Sequence, residues 1–152
     1  MKNILKILIC FSLFFLIGCG YQPIYSSKGQ NFSIGQIEII GKKDLVNYFQ
    51  TQIKRFQDIN EKSYDINVKL NSTKTTIAKD KKGNPSIYGL TLSADIIYKQ
   101  TGEGEKVRNF IQNTTYNNKD NKFDLKRYEK NLEKQMINKI IEDFIFFMQS
   151  ME

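Results

Sequence analysis

The sequence predicts an α+β fold: a two-layer sandwich with one mixed four-stranded sheet and two helices packed on one face, in the order β-α-β-β-β-α. Three observations predict it. Apolar and polar residues alternate with period two at 36–40, 64–70 and 86–99. Apolar residues recur every three or four positions at 44–57 and again at 123–148. Stretches bearing Gly, Asn and Pro separate these runs. With 152 residues, 40% of them hydrophobic, the chain is sized for one domain with an ordinary core.

The elements follow in order. Gln36 to Ile40, bounded by Gly35 and Gly41, is the first strand. Asp44 stands where an N-cap belongs, and Leu45, Phe49, Ile53 and Phe56 make the apolar stripe of a helix over 44–57. Residues 64–70 are the clearest strand. Tyr64, Ile66, Val68 and Leu70 share one face, and Asp65, Asn67 and Lys69 share the wet one. This strand continues toward Ile77. A basic loop, KDKKGNP at 79–85, carries the turn formers Gly83, Asn84 and Pro85. Residues 86–99 alternate again, with Leu90, Leu92, Ala94, Ile96 and Tyr98 in register; Thr101 to Gly104 is a hairpin turn, and 105–117 is a strand with weaker alternation. Leu125, Tyr128, Leu132, Met136, Ile140, Phe144 and Phe147 mark the closing helix. Its last turns, IIEDFIFFM, are apolar over more than one stripe, which suits burial under the sheet or contact with a partner or lipid at Phe146. A strand–helix–strand start puts the first two strands parallel by a right-handed crossover. The other three strands meander.

Composition narrows the chemistry. There is no His and no Trp, against 11 Phe and 8 Tyr. Without His the commonest general acid-base group and the commonest nitrogen metal ligand are both missing. Two Cys with no His cannot build a structural zinc site. The carboxylate pairs Glu142-Asp143 and Glu103-Glu105 lie on diverging helix positions or beside a flexible turn, so neither forms a shared desolvated pocket. The expectation is a protein that is not an enzyme and carries no cofactor beyond covalent lipid. The net charge of +7, from 23 Lys and Arg against 16 Asp and Glu, permits an anionic partner. It also fits a chain enriched in Lys, Asn and Ile by composition alone.

The N-terminus is the most specific stretch. Lys2 and Lys6 precede an apolar run from Ile7 to Ile17, too short to span a bilayer comfortably. Leu16-Ile17-Gly18-Cys19 resembles the bacterial lipobox, in which a small residue before the cysteine admits the signal peptidase and the thiol is alkylated with a diacylglyceryl group. Each buried methylene is worth about 0.8 kcal/mol, so several acyl chains (palmitate, for example) anchor stably. The expected organisation is a signal peptide at 1–18, a lipidated Cys19 with a flexible tether at 19–33, and one domain at 34–152. Cys10 leaves with the signal, so the mature chain has no disulfide. By resemblance to Gram-negative lipoproteins, Gly20 in place of an Asp directs the protein to the outer membrane.

The stretch Gly18-Cys19-Gly20-Tyr21-Gln22-Pro23-Ile24-Tyr25, followed by this order of elements and by the strand at 64–70, resembles the LptE family of lipopolysaccharide-assembly lipoproteins, alphaproteobacterial type. The resemblance implies a plug and assembly partner in the lumen of the LptD-type outer-membrane β-barrel that delivers lipopolysaccharide to the outer leaflet. It implies binding to lipopolysaccharide and no covalent chemistry. A hydrophilic sheet face suits a hydrated lumen. Phosphates need cations. Lys79, Lys81 and Lys82, at the tip between two strands, are the first candidates, and Lys106 and Arg108, on the last strand, the second. Solvated loop lysines are the alternative reading. Two rival roles stand beside this one: a lipid-anchored periplasmic scaffold in another envelope complex, and nucleic-acid binding, against which export from the cytoplasm argues.

Overall fold

The computed structural model describes residues 32–57 and 62–151. The expected signal peptide, Cys19 and nearly all of the expected tether lie outside the described residues. Four strands form one sheet in the order β1-β2-β3-β4. They are β1 (Ser33–Ile40), β2 (Ser63–Lys79), β3 (Pro85–Gln100) and β4 (Lys106–Asn117). Helix α1 (Lys43–Ile53) follows β1, and helix α2 (Lys122–Ser150) closes the chain. β1 pairs with β2 in parallel, and the remaining pairs are antiparallel. The α+β order and the mixed sheet are those the periodicity predicts.

Alternation sets the layers. Ile66, Val68 and Leu70 of β2 and Leu90, Leu92, Ala94, Ile96 and Tyr98 of β3 are buried, and the helices cover them. Leu45, Phe49 and Ile53 come down from α1; Ile137, Ile140, Ile141, Phe144, Ile145 and Met148 come down from α2. The apolar end of α2 therefore enters the core, except Phe146, which is 66% exposed.

Several boundaries move. β1 opens at Ser33 rather than Gln36, with Phe32 buried just before it. The N-cap of α1 is Lys42 rather than Asp44. The Asp44 carboxylate instead receives Lys130 Nζ from α2 at 3.0 Å, so it links two helices where it was expected to start one. α1 stops at Ile53, and Lys54–Phe56 tighten into a 3-10 turn that still buries Phe56. Asn121 caps α2, its side chain accepting from the N–H groups of Phe123 and Asp124.

β2 and β3 are long, at 17 and 16 residues, so their hairpin is about 50 Å from end to end. β1 pairs β2 only from Ser63 to Lys69. Beyond that the hairpin runs on past β1, braced on its inner side by the first half of α2. The outer face is polar along its length, with Asp65, Asn67, Lys69, Asn71, Thr73 and Thr75 on β2, Thr91, Ser93 and Asp95 on β3, and Asn109, Asn113 and Thr115 on β4. Apolar residues interrupt it: Ile40, Val107 and Ile77 are exposed toward the ends and Ile111 in the middle. An evenly hydrophilic face was expected.

Candidate functional site

The free tip of the β2–β3 hairpin is built by one carboxylate. Asp80 accepts the N–H groups of Lys82 and Asn84, each at 2.8 Å, and Asp80 N–H donates to the Asn84 carbonyl at 2.8 Å. The turn needs a left-handed residue, supplied by Gly83 at φ +83°. The Asn84 N–H, more than any other group, holds the Asp80 carboxyl below its ordinary pKa. With that carboxylate turned inward, Lys79, Lys81 and Lys82 are exposed and have no acidic partner among the described residues.

A second basic segment joins them. Asn118 fixes the β4–α2 turn to the base of the hairpin: its N–H donates to the Ser86 carbonyl and its amide to the Pro85 carbonyl, both at 2.8 Å. Lys119 and Lys122 come to the same end of the molecule. Lys119 Nζ sits 4.3 Å from the centroid of the Tyr128 ring. Five lysines thus crown one pole, against Asp80, Asp120 and Asp124. Nothing in the sequence singles out Lys119 and Lys122, because only the β3–β4 register brings residue 118 beside residues 85 and 86.

Lys106 and Arg108 are not part of this pole. Lys106 pairs with Tyr98 and Asn117 with Ile87, so about 35 Å of strand separates the two groups. Lys106 Nζ donates to Glu103 at 2.8 Å, and that bond raises its pKa. Arg108 packs its guanidinium over Phe147, 4.9 Å from the ring centroid. The five candidate cations are therefore two separate sets, one free and one engaged.

A cleft of about 510 Å³ lies between the start of α2, residue 42 and the braced half of the hairpin. Lys42, Lys74, Lys126 and Lys130 line it with Asp44, Glu129 and Glu133. Each of its acids is engaged. Ser72 Oγ donates to Glu133 at 2.9 Å, and Lys42 lies 3.6 Å from the same carboxylate. Glu129 receives both Lys74 and the Tyr116 hydroxyl, the latter at 2.7 Å, while Lys74 Nζ also sits 3.8 Å from the centroid of the Tyr88 ring. The cleft is thus a salt-linked seam that ties helix to hairpin.

Burial alone raises the Glu129 pKa, but the Lys74 and Tyr116 donors outweigh it and hold the carboxyl below its ordinary value of 4.5. A depressed folded-state pKa contributes stability above the unfolded value and loses it as pH falls through the folded one. Glu129→Gln should therefore flatten the acid side of the stability profile: its melting temperature should lie below that of the parent at neutral pH and approach it below about pH 4. Thermal melts across pH 2–7 check this. Burial, and then the Glu129 carboxylate, push the Tyr116 hydroxyl well above the ordinary tyrosine range, so it stays a donor throughout.

Solved structures share this architecture. The rare lipoprotein B of Shewanella oneidensis matches at TM-score 0.57 and 11% identity, over 77% of this chain and 98% of that one. A minor lipoprotein of Acinetobacter baumannii matches at TM-score 0.58 and 11% identity, over 79% and 91%. Lipoprotein B of Nitrosomonas europaea matches at 0.55 and 12%, over 81% and 88%. The chain has the fold of these bacterial lipoproteins. No protein-family model matches it, and no curated protein matches it in sequence. The likeness spans nearly the whole of each lipoprotein, so the sheet and both helices are the shared unit.

Proposed function

We propose that this chain is an acylated outer-membrane lipoprotein that acts as plug and assembly partner of the barrel inserting lipopolysaccharide into the outer leaflet. One observation carries the reading: Gly18-Cys19-Gly20-Tyr21-Gln22-Pro23-Ile24-Tyr25 heads a domain whose fold is that of bacterial lipoproteins. The shape is compatible. At about 50 Å the hairpin is somewhat longer than a bilayer is thick, headgroups included. The described chain begins at Phe32, beside residues 62 and 63, at the end of the sheet opposite the basic pole. A lipid on Cys19 moors the first end, and the lysine pole is carried to the far side.

The test is photocrosslinking in cells from Asn67 or Thr91 on the outer sheet face. A large outer-membrane barrel should be captured, joined to a chain whose mass shows acylated Cys19. Capture of periplasmic proteins alone would favour a lipid-anchored scaffold in another envelope complex. The apolar ends of the outer face, at Ile40 and Val107, would then be its contact surface.

A further inference from the structure

The outer face of the sheet divides by charge. In the half nearer the start of β1, Asp65 lies opposite Lys99 and Lys69 lies opposite Asp95. Past the Lys69 row, toward the hairpin tip, come three successive rows without a charged residue, from Asn71–Ser93–Ile111 to Thr75–Gly89–Thr115. Yet 26% of the chain is charged, and at the same height the helix side brings four lysines into the cleft. Charge is missing from one surface there, not from that end of the molecule.

The residues that fill this block are short and bond in either sense. A threonine or serine hydroxyl both donates and accepts, and an asparagine amide does the same. Thr91 Oγ1 donates to the Asn113 amide oxygen at 2.7 Å. Asn71, Thr73, Thr75 and Thr115 are exposed, and their side chains make no hydrogen bond among the described residues. Gly89 adds a hollow. Its backbone is not left-handed, so its use here is spatial. A Cβ there would stand 2.9 Å from Thr75 Oγ1 and 3.0 Å from Ile77 Cδ1. Without one, a shallow depression of about 480 Å³ opens among Thr75, Ile77, Thr91 and Thr115. Ile77 at one end of the block and Ile111 at the other are 60% and 54% exposed.

We propose that this uncharged block is the part of the chain that loses its water against the wall of the partner barrel, anchored by Ile77 and Ile111, with the Gly89 hollow taking an uncharged side chain from that wall. The inference rests on the barrel reading and adds the surface through which it works. Interface cores are depleted of charge because a charge leaves water only at high cost. Short side chains also lose less rotamer freedom than Lys, Glu or Arg when they are fixed. Three strands in register present regular rows, which pack on another sheet, and a barrel wall is a sheet lined by polar residues. Hydroxyls and amides satisfy such residues without needing an opposite charge. The charged half of the outer face meets the same wall across water.

The test uses the tagged full-length chain, recovered from detergent-solubilised membranes. Thr73→Glu and Thr73→Lys, made separately, should each cut the barrel recovered with the chain at least about tenfold, since either charge must be dehydrated. Gly89→Ala, which fills the hollow without adding charge, should cut it several-fold. Asn67→Glu and Asn67→Lys, two rows into the charged half from Asn71, should stay within about twofold of the parent. The melting temperature of each purified variant should match the parent, which shows that the sheet still forms. Recovery unchanged by both charges at Thr73, lowered by one sign only, or lowered equally from Asn67 would each overturn the proposal. A parent chain that brings down no barrel would instead overturn the barrel reading, and this inference with it.

Discussion

Phe144→Ala should lower stability by about 4 kcal/mol, the middle of the range for truncating a buried phenylalanine. Phe144 is fully buried and meets Phe110 edge-to-face, in the layer where α2 closes on the sheet. Its removal leaves a cavity that neither the helix nor the strand can collapse to fill, because each is held elsewhere along its length. Domains of this size are stable by only about 5–15 kcal/mol, so the loss is a large share of the total. It corresponds to a fall of about 15 °C in melting temperature, read by circular dichroism. Phe123→Ala is the control. Phe123 is 72% exposed in the first turn of α2, and its loss should stay within about 0.5 kcal/mol. Equal effects of the two substitutions would mean that the closing helix does not seat as described.

The second large effect concerns the pole. Changing Lys79, Lys81 and Lys82 together to Glu reverses six units of charge on a surface without acidic partners for those lysines among the described residues. Binding to lipopolysaccharide should weaken at least about tenfold at low salt, and the difference should shrink as salt screens it. Lipopolysaccharide stripped of its phosphates should distinguish the two proteins far less. Lys106→Glu, at the opposite end and already paired with Glu103, should leave binding near the parent value. Unchanged binding by the triple variant at both salt levels would remove the pole from the function.

The fold was legible because the strongest signals are periodic and local. Ile66, Val68 and Leu70, and the Leu90 to Tyr98 series, can face only one way once a sheet forms, and their burial follows the alternation. Helix ends were less legible. Asp44 has the chemistry of a cap, but Lys130 approaches from 86 positions along the chain and takes its carboxylate. The grouping of cations was not legible. Proximity of Lys119 to the hairpin tip depends on strand register, and the separation of Lys106 from Lys79 depends on strand length. Ile40 reads in sequence as the next apolar residue of a strand that runs Ile37, Ile39, Ile40. Period two puts Ile37 and Ile39 inward and Ile40 outward with Gln36 and Glu38; what the sequence hides is the register shift between Ile34 and Ile37, which lets Ile34 face inward as well.

The short parallel pairing of β1 with β2 also has a mechanical consequence. A pull on Ser33 along the axis of β1, against a domain held at its opposite tip, acts on this pairing. The parallel hydrogen bonds on both sides of the irregularity between Ile34 and Ile37 are then loaded in shear together, and do not peel one after another. On the proposed function, a lipid anchor attached in this way grips hardest along the direction in which it is tugged.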